Sequence, residues 1–350
     1  MAIKIIRIDT ANPKTKLTQR EALLLLSRER RLSRQEQSLY KRFLGDRGID
    51  TRYFAVSKNP DFFIEEQDAL INRFQEEAVS LSVASVKKCL SRSRIRRNDI
   101  DFLSLSTCTG YLCPGLTSYV IEKIGLRDDI FALDAVGMGC GGALPALRLG
   151  YNFLSARKNS HALAVSTEIC SSAVFWDEDP ELILSNSIFS DGSGACLLTN
   201  KNSVPGFRFV DFESRVIPRY REALRFTVKD SKLRNVIKPA VPEIAANLLR
   251  EISGSLLKRN RLRKEDVKFW ALHPGGKKVL DKIGEIVGLS EEDLRYSRDI
   301  LFRYGNMSSP TVLYVLKEIF EGPEIERGDR ILAASFGAGF SGYAALLRYE

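Results

Sequence analysis

Cys140 lies in DAVGMGCGGALPALRLG (134–150), between pairs of small residues, with an apolar strand pattern before it and a helical pattern after it. A cysteine that only fills a core gap needs no glycines on both sides. A thiol that must meet a substrate at a tight bend does, and a helix N-terminus or a neighbouring imidazole lowers the pKa of such a nucleophile. The chain has only two histidines. His273 closes the apolar run VKFWAL and precedes PGGKK, a strand-to-turn junction that suits either a catalytic imidazole or a hydrogen-bonded core residue. His161, after RKNS, reads as a surface-loop residue. Asn306, in YGNMSSP, places an amide after a glycine at a helix start, which a plain N-cap also explains.

The elements around these residues alternate between helix and strand. Apolar residues at helical spacing over 64–90 include Ile64, Leu70, Ile71 and Phe74. FLSLST (102–107) reads as a buried strand, YVIEKIGL as a short helix and IFALDAV (130–136) as a strand. Leu144, Leu147, Tyr151 and Leu154 mark one helix face, and Pro145 requires that helix to begin late or bend. HALAVST (161–167) returns to strand, and SDGSGACLLTN (190–200) reads as a tight turn feeding a strand. The second half rhymes with the first: a helix over 241–260, the strand VKFWALH, and helices in VLDKIGEIVGL and SPTVLYVLKEIFE. ILAASFGAGFSGYAALLRY then repeats the strand, Gly-rich turn and strand of IFSDGSGACLLTN. This predicts a layered α/β protein of two similar halves, 1–205 and 206–350, sharing an extensive interface.

A chain of 350 residues suits one large or two fused α/β units. With 44% hydrophobic and 28% charged residues it has the balance of a folded globular protein. No apolar run approaches the roughly 20 residues that span a bilayer. The start, MAIKIIRIDTANPKTKL, lacks the h-region of a secretory signal, so a cytoplasmic location is expected. The six cysteines (Cys89, Cys108, Cys113, Cys140, Cys170 and Cys196) form no CxxC pair, so neither a zinc site nor a disulfide framework is expected. The net charge of +9 admits nucleic acid, a membrane surface or anionic cofactors. Its densest stretch, KKCLSRSRIRRND (87–99), falls where a long helix ends and cations meet the negative end of the dipole. It lacks the interleaved aromatics of single-strand binders, so nucleic acid is not an expected partner.

GMGCGGA, WALHPGGKKVLD and RYGNMSSPTVL occur in that order, and the chain closes on SFGAGFSG. Over nearly its whole length it resembles the chalcone synthase-like type III polyketide synthases of the bacterial kind. The resemblance implies the thiolase fold, five αβαβα layers built from two pseudo-symmetric halves, and a homodimer. It implies that Cys140 accepts a starter acyl group from coenzyme A and that His273 keeps the thiol ionised. His273 and Asn306 would hold the thioester carbonyl of malonyl-CoA as carbon dioxide leaves. The resulting enolate needs preorganised donors in a dry site, which an imidazole and an amide supply, and no metal or redox cofactor is implied. Phe189, in SIFSDG, matches an aromatic gate, and Arg42, in YKRFLGDRG, a coenzyme A-binding cation with Lys41 and Arg47 nearby. Cys108, Glu168, Cys170 and Ser308 match places beside the nucleophile where hydroxyls steer the chain towards aldol closure. Gly337 belongs to the closing Gly-rich turn, in which Ala338 replaces the family's proline.

The departures carry expectations of their own. A thiol is a poor hydrogen-bond partner, so a water chain through Cys108 would be weak. Ala173 stands where plant members often carry a larger residue. The segment 212–240 is shorter than theirs and shows no match for their gate residue, which implies more apolar room. Together these imply a medium or long acyl starter, two or three malonyl extensions and release as an alkylpyrone. A ketoacyl-acyl carrier protein synthase III-like enzyme, condensing or transferring an acyl group once, is the alternative, and delivery by an acyl carrier protein stays open. A non-catalytic subunit of this fold would be expected to lose the nucleophile, which this chain keeps.

Overall fold

Strands buried on both faces read as continuous apolar runs, and amphipathic segments between them become helices. The computed structural model describes residues 2–56, 62–64, 66–201 and 204–350. Its strands are β1 (Lys4–Ala11), β2 (Thr15–Thr18), β3 (Thr51–Phe54), β4 (Ile100–Thr107), β5 (Phe131–Val136), β6 (His161–Glu168) and β7 (Gly192–Thr199). They continue with β8 (Phe207–Val216), β9 (Leu224–Lys229), β10 (Lys232–Ile237), β11 (Phe269–Leu272), β12 (Arg330–Gly337) and β13 (Ser341–Tyr349). The helices are α1 (Gln19–Glu29), α2 (Arg34–Leu44), α3 (Gln67–Ser91), α4 (Leu116–Ile124) and α5 (Ala143–Ser155). After them come α6 (Pro180–Ile188), α7 (Val241–Arg259), α8 (Lys277–Ile283), α9 (Glu291–Tyr304) and α10 (Thr311–Glu321).

Nine strands form one sheet in the order β11-β12-β13-β8-β1-β7-β6-β4-β5. The order repeats itself. From β1 through β7, β6 and β4 to β5 the pairings run antiparallel, antiparallel, parallel, parallel. From β8 through β13 and β12 to β11 they run antiparallel, antiparallel, parallel. The two runs meet where β1 and β8 pair over Lys4–Arg208 and Ile5–Phe207 alone.

Three of the hydrophobic cores hold five layers together, the central one covering both faces of the middle helical layer. In the central core α5 (Leu144, Leu147) and α10 (Leu313, Leu316) pack between inward residues of both runs, such as Phe102 and Ile331. One outer core places Phe74 and Leu81 of α3 on Leu103 and Leu163; the other places Leu249 and Ile252 of α7 on Trp270 and Leu332. Alternation within single strands serves two cores at once: Phe102 faces the centre and Leu103 the outside, as do Ile331 and Leu332. This is the thiolase-like αβαβα arrangement.

Several local expectations are corrected. The long helix begins at Gln67, and residue 65 of the expected span lies outside the described residues. The short helix begins at Leu116 and stops at Gly125, whose φ of +71 closes it. IFSDG is not a strand and turn: Asp179 caps α6, Ile188 ends it, and this helix separates β6 from β7. The helix of VLDKIGEIVGL gives way to a π-type turn over Gly284–Gly288. His161 is no surface-loop residue, because β6 lies between β4 and β7 with both faces covered, and the side chain is 1% exposed. Pro145 falls in the first turn of α5, where its missing N–H costs nothing, so the helix begins late. The basic stretch does span the end of α3 at Ser91, as expected, and just beyond it Arg92 pairs with Asp9 at 2.7 Å and Glu321 at 2.9 Å. Among the described residues no helix is long and apolar enough to cross a membrane.

Candidate active site

Three chain connections bring the chemistry to one place. After β5, a 3-10 turn over Gly139–Gly141 carries Cys140 before α5 begins. Gly139 has φ +58, and a Cβ there would lie 2.8 Å from the Ala338 amide nitrogen. Only glycine fits so close to the β12–β13 turn. From that turn, a Cβ on Gly337 would lie 2.0 Å from the Met138 oxygen, so the two turns pack backbone on backbone. His273 follows β11 directly, and its N–H donates to the Ala334 carbonyl at 2.8 Å, extending the pairing with β12. Asn306 is not an N-cap, since α10 starts only at Thr311. Its N–H donates to the Ile188 carbonyl at 3.0 Å and its carbonyl accepts from the Ser190 N–H at 2.9 Å, which ties it beside Phe189.

The side chains are held by few bonds, with unused ones pointing to a ligand. Asn306 Oδ1 accepts from the Ser308 N–H at 2.8 Å, and Nδ2 donates one hydrogen to the Gly275 carbonyl at 3.0 Å. That sets the amide and leaves one N–H over. His273 is buried, and neither ring nitrogen has a partner among the described residues. Buried polar groups are rarely left so; the ring of His161 shares this, and what distinguishes His273 is that it lines a cavity together with Cys140. Burial pulls the His273 pKa down to about 3. It pushes the Cys140 thiol up to about 12, opposed by the Ser308 hydroxyl, which donates to Sγ at 3.3 Å. Neither charge is stable alone here. A thiolate and an imidazolium formed together would offset one another.

Glu168 is buried beside this pair and accepts from the Cys108 N–H at 2.9 Å, Thr109 Oγ1 at 2.8 Å and Ser309 Oγ at 2.6 Å. Burial raises its carboxyl in spite of these donors. Cys108 Sγ donates to Glu168 Oε1 at 3.3 Å and lies 3.4 Å from Ser308 Oγ. The single Ser308 proton therefore has Cys140, Cys108 and, at 3.5 Å, Glu168 as competing acceptors.

Cys140 lines two cavities. One, of about 560 Å³, also holds His273, Asn306 and Phe336 and reaches Arg42 and the exposed Lys238, Lys277 and Lys278. Lys238 pairs with Glu181 and Lys277 with Asp281, while Arg42 and Lys278 pair with no carboxylate among the described residues. The second, of about 320 Å³, holds Cys108, Cys170, Ala173 and Ser308 with a mainly apolar wall that includes Val174, Leu182 and Leu233. Phe189 lines both cavities. Glu168 and Gly337 line neither; Lys41 is exposed on α2, and Arg47 lines a separate surface cleft with Asp281 and Arg298.

The sequence reading missed Lys277, Lys278, Arg52 and Phe226. The last corrects an expectation: the segment 212–240 does supply an aromatic wall, because the β9–β10 hairpin brings Phe226 to the second cavity. The signal was present in two alternating runs around Lys229-Asp230-Ser231-Lys232, whose central residues have φ of +50 and +60.

Known proteins show the same whole. A family model described as FAE1/Type III polyketide synthase-like protein matches residues 8–207, and one for the C-terminal domain of chalcone and stilbene synthases matches 210–348. A 3,5-dihydroxyphenylacetyl-CoA synthase of Amycolatopsis orientalis is 28% identical over 98% of this chain and 92% of its own. An alpha-pyrone synthesis polyketide synthase-like protein of Mycobacterium tuberculosis is 28% identical over 84% of this chain and 76% of its own. The crystal structure of 1,3,6,8-tetrahydroxynaphthalene synthase from Streptomyces coelicolor A3(2) superposes with a TM-score of 0.91 at 26% identity, covering 99% of each chain.

Proposed function

The chain belongs to the chalcone synthase-like type III polyketide synthases, acyltransferases that condense by decarboxylation, and on that premise we propose how its residues divide the work. Cys140 attacks an acyl-CoA starter as His273 takes its proton, and coenzyme A leaves as the thiol after His273 passes that proton to its sulfur. Malonyl-CoA then enters the larger cavity. As its carboxylate departs as carbon dioxide, the bond electrons pass to an enolate whose oxygen meets the His273 N–H and the spare Asn306 N–H. Two neutral donors hold that charge without a strong acid that would quench the carbanion. The enolate carbon attacks the Cys140 thioester and expels the thiolate; the lengthened chain, now a coenzyme A thioester, is attacked by that thiolate in turn and returns to Cys140 as coenzyme A leaves. Arg42 and Lys278 attract the phosphates of coenzyme A. The steps call on no metal or redox group, and a carrier protein's pantetheine thioester would satisfy the same atoms.

The observation that supports this most is that Cys140 is common to two cavities, one with unused donors and one with an apolar wall. The experiment is incubation with acyl-CoA starters and malonyl-CoA, followed by mass spectrometry of the products and of the Cys140 peptide. An acyl mass on Cys140 supports the assignment. The acyl mass on Cys108 or Cys170, or full activity in Cys140→Ala, overturns it.

For the product we infer a medium or long acyl starter and an alkylpyrone released by lactonisation. The apolar wall of the second cavity favours methylenes, each worth roughly 0.8 kcal/mol when buried. The thiol of Cys108, standing where a hydroxyl would relay water, disfavours aldol closure. Names of relatives include both an alpha-pyrone and a dihydroxyphenylacetyl product, so similarity does not choose between them.

A second copy of the chain completes the working form in this reading, a homodimer in the cytoplasm, where coenzyme A thioesters are made. It is supported by β5, an edge strand whose Phe131, Leu133 and Val136 are 58%, 40% and 46% exposed. Apolar side chains on an unpaired edge call for a cover.

A further inference from the structure

Arg52, in β3, is a buried guanidinium without a carboxylate. It is 3% exposed, lines the cavity that also holds Cys140, Cys170 and Ser308, and makes no ion pair among the described residues. Nε donates to Gln19 Oε1 at 2.8 Å, and Nη1 donates to the Asn186 and Phe189 carbonyls, each at 2.8 Å. The group lies over the Phe54 ring, 4.9 Å from its centroid, and its stem packs on Gly305. Nη2 donates to nothing among the described residues. The ionisable groups acting on Arg52 are Tyr40, Asp191 and Cys170. Asp191 is itself taken by the Ala55 N–H at 2.6 Å and by Ser171 Oγ at 2.6 Å. Burial lowers Arg52 to about 10, which leaves it cationic at neutral pH.

A cation is costly to bury, and costlier still with donors unmatched. Three acceptors hold this fork rigidly, and its remaining edge is a charged donor in a mostly apolar cavity. We propose that the free edge of Arg52 binds a keto or enolate oxygen of the growing poly-β-keto chain and positions that chain for further extension. The proposal rests on the reading that Cys140 carries the chain. A saturated starter has no oxygen beyond its thioester, whereas each malonyl unit adds one on every second carbon. A 1,3-dicarbonyl also ionises readily to an enolate, which the cation favours. The same apolar cavity can therefore accept an alkyl starter and still distinguish extended from unextended chains.

The test compares wild type with Arg52→Met and Arg52→Lys in three measurements. The first is the acyl adduct on Cys140 from a saturated starter. The second is the ratio of longer products to triketide. The third is the enolate pKa, read by ultraviolet absorbance, of a bound 3,5-dioxoalkyl-CoA analogue with methylene in place of the thioester sulfur. Arg52→Met is expected to lower the product ratio about tenfold, far more than the adduct, as for a lost bond to a charged group. It is also expected to raise the enolate pKa by about one unit or more, with Arg52→Lys restoring part of both. An unchanged product ratio overturns the proposal, and so does a changed ratio with an unchanged enolate pKa, which marks a structural role. Should Arg52→Met not fold, Arg52→Lys decides by the same two readings. Absence of any acyl adduct on Cys140 in wild type overturns the underlying reading instead.

Discussion

Ser308 donates its hydroxyl to the Cys140 thiol across 3.3 Å from a backbone φ of +60, a conformation that residues with a Cβ seldom adopt. Asn306 Oδ1 secures that backbone by accepting the Ser308 N–H. Strain held at a functional site in this way has a use: the hydroxyl lowers the thiol pKa that burial raises. Ser308→Ala is expected to slow acyl transfer to Cys140 about tenfold, measured as the burst of free coenzyme A. Ser308→Gly should show the same loss with a higher Tm than Ser308→Ala. An undiminished burst in either variant would refute the role.

The proposed Cys140–His273 pair predicts a pH dependence. The folded thiol pKa lies above that of a free cysteine, so Cys140 acting alone stays protonated below about pH 12. His273, pulled down to about 3 by burial, is alone a neutral imidazole with a single N–H at neutral pH. Only exchange of a proton within the pair makes a thiolate at pH 7. His273→Ala should therefore abolish rapid alkylation of Cys140 by iodoacetamide at pH 7, the rate then climbing steadily as pH is raised to 10. Wild type should react rapidly at pH 7. Identical profiles would remove His273 from the pair.

The roles proposed for Asn306 and His273 separate by step. Asn306→Ala should cut carbon dioxide release from malonyl-CoA by on the order of 10²–10³ while starter loading falls far less, since one oxyanion donor is lost. His273→Ala should depress both. Radiolabelled carbon dioxide release and Cys140 adduct mass read the two steps independently, and equal mild effects would contradict the assignment.

If starter choice follows the apolar wall of the second cavity, chain length decides it. Octanoyl-CoA and longer starters are expected to exceed acetyl-CoA and aromatic thioesters in kcat/KM. Ala173→Leu, filling the second cavity, should lower the octanoyl-to-acetyl preference roughly tenfold, the worth of about two buried methylenes. A wild type that prefers acetyl-CoA ends this reading, as does a resorcinol or phloroglucinol as main product for the lactonisation.

Sedimentation tests the edge strand. Leu133→Glu on β5 should turn a dimer into a monomer at micromolar concentration, because a carboxylate is poorly tolerated in an apolar contact. Monomeric wild type would contradict the proposed homodimer.

Much of this protein was determined by local sequence. Runs of apolar and small residues marked β4, β6 and the strands flanking SFGAGFSG, because a strand covered on both faces lacks the regular polar alternation of a half-exposed one. Glycines around Cys140 announced a turn because their backbone conformation and close approach admit no Cβ. Motif order alone brought Cys140, His273 and Asn306 into one expectation. The rest depended on which distant surfaces meet. His161 followed polar residues yet is buried, since neighbouring strands and not its own flanks cover it. Phe226 reaches the second cavity because Lys229, Arg234 and Lys238 pair with Asp177, Asp179 and Glu181 and fasten the hairpin over α6. Arg52 reads in sequence as one more basic residue among many. Only the fold sets it against Gln19 and the Asn186 and Phe189 carbonyls, with one edge left to a ligand. Periodicity reports which face of an element is apolar; it carries no information about which remote element will cover that face.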